Sequence, residues 1–190
     1  MSTRITLAVP SALLLLGLGS CTSSRFYEHR FVPAPLEAQV GSQAVEGSQV
    51  RSLLTVIGIE RAGEGHGPRA VVRMRLENLG TVPAKLDQES LSLVSADLAE
   101  FGPVQVVPGD PEPAPEGEIG AGQTASFDLL FPLPEGKGPA QMDLTGLNLR
   151  FTLRFGDQPV TTGATFQRVE WWYADPYPHV SIGVGFTSDG

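Results

Sequence analysis

Arg73 and Arg75 in VVRMRL, and Arg150 and Arg154 in NLRFTLRF, set four guanidinium groups at alternating positions of two apolar stretches. A guanidinium grips phosphate or carboxylate through paired hydrogen bonds. Four of them on one sheet face would make an anion-binding patch, provided that the two stretches share a sheet. Otherwise each arginine pairs with an acidic neighbour across its strand. A second group is aromatic: VEWWYADPYPHVSIGVGF gathers Trp171, Trp172, Tyr173, Tyr177 and Phe186, with both tryptophans of the chain among them. Trp is among the residue types that most often anchor interfaces, and Tyr is another. Val180, Ile182, Val184 and Phe186 also alternate with Ser181, Gly183 and Gly185, as in a strand able to add to a partner's sheet edge. The alternative is a strap that seals the domain's own core. The third candidate is Cys21, the only thiol, which closes the apolar run LLLLGLGSC.

Catalytic and metal-binding patterns do not assemble. His29, His66 and His179 are far apart, and none has a partner at ligand spacing. No Gly-x-Ser-x-Gly elbow occurs. The glycines of AGEGHGPR lie between two strand-like segments, whereas a phosphate cradle opens a helix; a hairpin loop is expected there. PGDPEPAPEGE brings Asp110, Glu112, Glu116 and Glu118 close in sequence. Calcium needs six to eight converging oxygens, and the prolines of this loop hold its carboxylates apart. The reading is therefore of a protein that is not an enzyme and has neither cofactor nor metal.

The chain opens Met1-Ser2-Thr3-Arg4, one base and no acid, followed by about 15 almost wholly apolar residues from Ile5 to Gly19. That order is the layout of a secretion signal. The run is shorter than the roughly 20 residues of a membrane-spanning helix and contains Pro10. Leu18-Gly19-Ser20-Cys21 resembles the lipobox of bacterial lipoproteins: an aliphatic residue, two small ones, then cysteine. The resemblance implies removal of residues 1–20 as a signal peptide, a diacylglyceryl thioether on Cys21, and an acyl chain such as palmitate on its amino group. Two such attachments anchor stably where one does not. Thr22 rather than Asp after the cysteine implies, by the same resemblance, the outer membrane, with the domain facing the periplasm.

Loss of Arg4 with the signal takes the formal net charge from −8 to −9. An acidic surface argues against nucleic acid, which is bound through a basic footprint. Residues 21–49 are rich in Ser, Pro, Gly and Gln and read as a flexible tether with a mean span of about 30 Å. From residue 50 the period is two. Ala70, Val72, Met74 and Leu76 alternate with Val71, Arg73, Arg75 and Glu77, and Leu147, Leu149, Phe151, Leu153 and Phe155 with Asn148, Arg150, Thr152 and Arg154. Successive strand side chains point to opposite faces, so each stretch buries one face and wets the other, as antiparallel strands do. Strands are expected over 51–60, 70–78, 81–87, 90–95, 103–107, 123–131, 145–155 and 159–169, with a short helix as the alternative around 87–101. That makes an all-β sandwich of seven to nine strands.

VVRMRLENLGTVPAKLDQESLSLVS followed by GEIGAGQTASFDLLFPLP resembles the immunoglobulin-like domains of bacterial cell-envelope proteins, with Asn78-Leu79-Gly80 and Ala121-Gly122-Gln123-Thr124 in the turn positions. The resemblance implies that fold for residues 50–169, with 170–190 as a C-terminal tail. Function is then expected to be that of an envelope lipoprotein acting as a non-catalytic interaction or assembly module, bound to the membrane through Cys21 and to another envelope protein through edges, loops or tail. The second expectation is a binding module for an anionic envelope glycan, lipopolysaccharide or peptidoglycan, through the arginine face.

Overall fold

The computed structural model describes residues 27–111 and 117–169. Eleven strands, all paired antiparallel, form two sheets: β1 Tyr27–Glu28, β2 Arg30–Val32, β3 Leu36–Val40, β4 Val50–Glu60, β5 Arg69–Asn78, β6 Ala84–Ser95, β7 Gln105–Pro108, β8 Glu118–Ile119, β9 Thr124–Pro132, β10 Gly146–Phe155 and β11 Gln158–Val169. One sheet runs β1-β4-β5-β9-β7, with β3 also on the β4 edge; the other runs β2-β11-β10-β6-β8. Lettering β4 to β7 as A to D, and β9, β10 and β11 as E, F and G, gives A-B-E-D against C-F-G. This is the immunoglobulin topology of the constant type, with β8 added at the C edge and β1 to β3 placed before A.

The alternation dictates the core. Leu54, Met74 and Phe127 stand in one cross-strand row, Val56, Val72 and Leu129 in the next, and Ile59, Ala70 and Phe131 in a third. All nine are buried, against Leu86, Leu93, Leu147, Leu149, Phe151, Leu153, Phe155 and Phe166 of the other sheet. Val56 and Ile59 both reach the core although three residues apart, because the register shifts between Val56 and Gly58. Such a bulge inserts one unpaired residue, and Gly58 takes the positive φ of 141° there.

The segment 27–49 is not a tether. The chain pairs Tyr27 and Glu28 with Glu60 and Ile59 of the six-stranded sheet. It turns through His29 at φ 65°, pairs Arg30–Val32 with Val169–Gln167 of the five-stranded sheet, and returns to pair Leu36–Val40 with Leu54–Val50. Phe31, Leu36 and Val40 are buried in the core. The sandwich thus includes the chain from residue 27 onward, and residues 21–26 of the expected tether lie outside the described residues.

The two strands expected over 81–87 and 90–95 are one, β6, with a register break between Asp87 and Ser92. Ser90 fills the break: its hydroxyl donates to the Asp87 carbonyl at 2.7 Å and accepts the Thr152 amide at 2.8 Å. No helix forms at 87–101; β6 runs to Ser95 and a loop follows. The two stretches that carried the immunoglobulin-like resemblance meet. The Asn78 amide donates to the Gln123 carbonyl at 2.9 Å, and the Gly122 amide to the Asn78 carbonyl at 3.0 Å. The buried Asn78 side chain donates to the carbonyls of Val82 (2.8 Å) and Ile119 (2.9 Å) and accepts from the Gly80 amide (3.0 Å). One side chain thereby joins β5, the β5–β6 turn and β8 of the opposite sheet.

Candidate functional site

The four arginines do not share a face. Arg73 and Arg75 are on β5 of the six-stranded sheet, Arg150 and Arg154 on β10 of the five-stranded sheet. Each alternates with core residues and so points away from the other sheet, which puts the two pairs on opposite outer faces. The expectation of one anion-binding patch is corrected accordingly. Three of the four are also engaged. Arg73 forks onto Asp128, its direct cross-strand partner, at 2.9 and 3.2 Å. Arg75 reaches Glu77 at 3.2 Å, and Arg154 reaches Asp87 at 2.9 Å. Pairs as exposed as these contribute about 0.2–1 kcal/mol each; they neutralise the faces more than they hold them. Arg150 has no ion pair among the described residues. Glu77 also accepts from Arg51, and this hydrogen bond holds the Glu77 carboxyl below its ordinary range and raises the Arg51 guanidinium.

His66 belongs to a tight hairpin closed by the Gly63 amide on the His66 carbonyl at 3.1 Å, with its own Nδ1 2.9 Å from the Gly67 carbonyl oxygen. His29 lies at the switch between sheets, and His179 is outside the described residues, as are Glu112 and Glu116 of the acidic loop. Among the described residues no group of three or more His, Cys, Asp or Glu is placed to hold a metal ion. Cys21, Trp171, Trp172, Tyr173, Tyr177 and Phe186 all lie outside the described residues.

What the structure does bring together is an open sheet edge. β11 is twelve residues long and pairs with β10 over Gln158–Gln167. On its other side only Gln167–Val169 meet β2, and residues 158–166 are paired there with no strand among the described residues. The Arg168 amide donates toward β10, to the Thr145 carbonyl at 2.8 Å. By the alternation of an antiparallel ladder, the amides of Thr161, Gly163 and Thr165 therefore face the open side. Proteins guard such edges with charge, proline, bulges or short strands. Here β7 is four residues long and ends in Pro108, while the open part of β6 carries Asp87, Glu89 and the break at Ser90. Residues 158–167, QPVTTGATFQ, contain no charged side chain, and Pro159 alone guards their start.

The strand directions define two ends. Tyr27 pairs with Glu60, the last residue of β4, and Arg30 with Val169, the last of β11. Both exits from the described sandwich therefore lie together, at the end that also carries the loops 61–68, 96–104 and 133–145. Loops 96–104 and 133–145 are tied there by the Ala96 amide on the Asp143 carbonyl at 3.2 Å. Hydroxyl hydrogen bonds from Ser95 and Thr145 hold the Asp97 and Asp143 carboxyls below their ordinary values. Leu98, 81% exposed with φ 60°, projects from that pinned turn. A leucine in the left-handed region, where Cβ crowds the backbone, is held there by the turn, in which the Leu98 amide donates to the Ser95 carbonyl at 3.0 Å.

The open edge was readable from sequence only as the uncharged composition of 158–167. Compared with known proteins, the chain matches no family model and no curated protein sequence. Among the described residues no helix is long and apolar enough to cross a membrane.

Proposed function

We propose that this chain is a lipid-anchored protein of the bacterial cell envelope, held by acyl groups on Cys21 in the outer membrane. Its immunoglobulin-like sandwich is a non-catalytic interaction module that takes an extended segment of another envelope protein onto the β11 edge. The observation that carries the reading is the open side of β11 over residues 158–166, where the amides of Thr161, Gly163 and Thr165 face no strand among the described residues and no charge repels an incoming one. A strand added there gains main-chain hydrogen bonds for affinity and side-chain contacts for selectivity. The anchor rests on the Leu-Gly-Ser-Cys resemblance. The anionic-glycan reading has no such support, because its arginines are divided between two faces and largely paired.

The test is site-directed photo-crosslinking in intact cells, with the reactive residue at Gly163 or Thr165 and, as control, at Arg73 on the opposite sheet. A discrete protein adduct from the edge positions, lost when Thr161→Lys is added to charge the edge, is the expected result. Adducts from Arg73 alone, or none from the edge in folded protein, would overturn the assignment.

A further inference from the structure

We propose that the strand received on the β11 edge carries a carboxylate opposite Gly163, and that Arg150 reaches across that glycine to bind it. Arg150 then sets which segments the edge accepts. This deepens the functional reading above and rests on its open edge.

On the outer face of the five-stranded sheet, Asn148 stands opposite Thr165, Arg150 opposite Gly163, and Thr152 opposite Thr161. The first and last of these rows are closed by side-chain hydrogen bonds of 2.9 Å, from the Thr165 hydroxyl to Asn148 Oδ1 and between the Thr152 and Thr161 hydroxyls. The middle row is not closed. Arg150 is exposed, its cross-strand neighbours are Gly163 and Ser92, and it has no ion pair among the described residues, whereas Arg73, Arg75 and Arg154 each meet an acid. A Cβ placed at Gly163 would meet the Leu149 carbonyl oxygen at 3.3 Å and no side chain within 4 Å. A strand glycine of this kind lets another chain approach closely. A strand hydrogen-bonded to the open side of β11 would lie two strand spacings from β10, roughly 9.6 Å. An extended arginine and an incoming Asp or Glu meet over that distance, in the charge-assisted fork that guanidinium and carboxylate form. A basic residue at the same place would face Arg150 and be repelled. A second copy of this chain, joined edge to edge about Gly163, would bring two Arg150 side chains together and is disfavoured on the same ground. On the inner side Val160, and Ala38 of β3, are only partly buried. The segment that fits therefore alternates small apolar residues facing inward with polar ones facing outward, an acid among the latter.

The experiment places a photo-reactive residue at Thr165 of the full chain in intact cells, which leaves Arg150 and Gly163 as they are, and sequences the attached segment. An Asp or Glu within two positions of the attachment point is expected. Arg150→Glu should lower the adduct yield by about tenfold or more, because like charges then face each other. Arg150→Lys should keep most of the yield, and Arg73→Glu on the opposite sheet should leave it unchanged. Changing the partner's acidic residue to lysine should restore the yield of Arg150→Glu, a rescue that a merely structural role for Arg150 would not give. The circular dichroism of each variant should match the parent's, since Arg150 is exposed. An adduct whose yield ignores Arg150→Glu, or whose segment has no acid, overturns this inference and leaves the edge reading standing. No edge adduct in the folded parent, or one to residues 170–190 of the chain itself, overturns both.

Discussion

Replacing Asn78 by alanine removes a buried side chain that binds backbone groups of three residues, and the cost can be worked out bond by bond. Asn78 is 1% exposed and makes hydrogen bonds to Val82, Ile119 and Gly80 at 2.8–3.0 Å. A net 0.5–1.5 kcal/mol each gives roughly 1.5–4.5 kcal/mol, and the loss of a donor to the buried Ile119 carbonyl favours the upper half. The Gly80 amide keeps a second acceptor, the Gln49 carbonyl at 2.9 Å, which trims the sum to about 3 kcal/mol. Asn78→Asp is the sharper probe. It keeps the shape and the acceptor for Gly80 but turns a carboxylate oxygen toward two carbonyl oxygens, so at neutral pH it should be less stable than the alanine variant. Burial and the two carbonyls raise that carboxyl's folded pKa. The penalty is therefore complete above the folded value and relieved as pH falls below it, when the protonated acid regains a donor. Urea unfolding of the three proteins at neutral and acid pH reads this directly. An alanine variant within about 0.5 kcal/mol of the parent, or an aspartate variant no worse than alanine and insensitive to pH, refutes the idea that Asn78 pins the two sheets through these bonds.

Gly80→Ala should cost about 1–3 kcal/mol in the same assay, because a Cβ there would stand 2.0 Å from the Gly47 carbonyl oxygen and 2.7 Å from the Gln49 nitrogen, backbone atoms with nowhere to go. Phe127→Ala should cost about 3–5 kcal/mol, since Phe127 is 1% exposed and packs in the row of Leu54 and Met74. Glu77, Asp97 and Asp143 have folded pKa values below their ordinary 4.5, 3.8 and 3.8. Their contribution is present above those values and lost as pH falls through the lowered folded ones. The urea midpoint should therefore decline on acidification below about pH 4.5, less steeply in Glu77→Gln.

The alternation of side chains made the long strands legible: β4, β5, β9, β10 and β11 fall within a residue or so of where period two places them. Strands of two or three residues have too few positions to show a period, which is why β1, β2 and β8 were invisible; their partners create them. The segment 27–40 is a different case. Its prolines and small residues suggest a linker, yet Leu36, Ala38 and Val40 alternate with Glu37 and Gln39 as a half-buried strand does. Composition overrode a period that was present. The arginines were rightly placed on outer faces, but which sheet a strand joins depends on residues far along the chain, and no local pattern carries that. An open edge is harder still, because it is defined by what does not lie beside it.

The proposed anchoring depends on Cys21, and the mass of the N-terminal peptide of the protein recovered from bacterial membranes decides it. The expected result is a mature chain that begins at Cys21 and carries a diacylglyceryl thioether and an amino-terminal acyl chain, with Cys21→Ser released from the membrane fraction. A chain retaining residues 1–20, or one with a free Cys21 thiol that still fractionates with membranes, would contradict it.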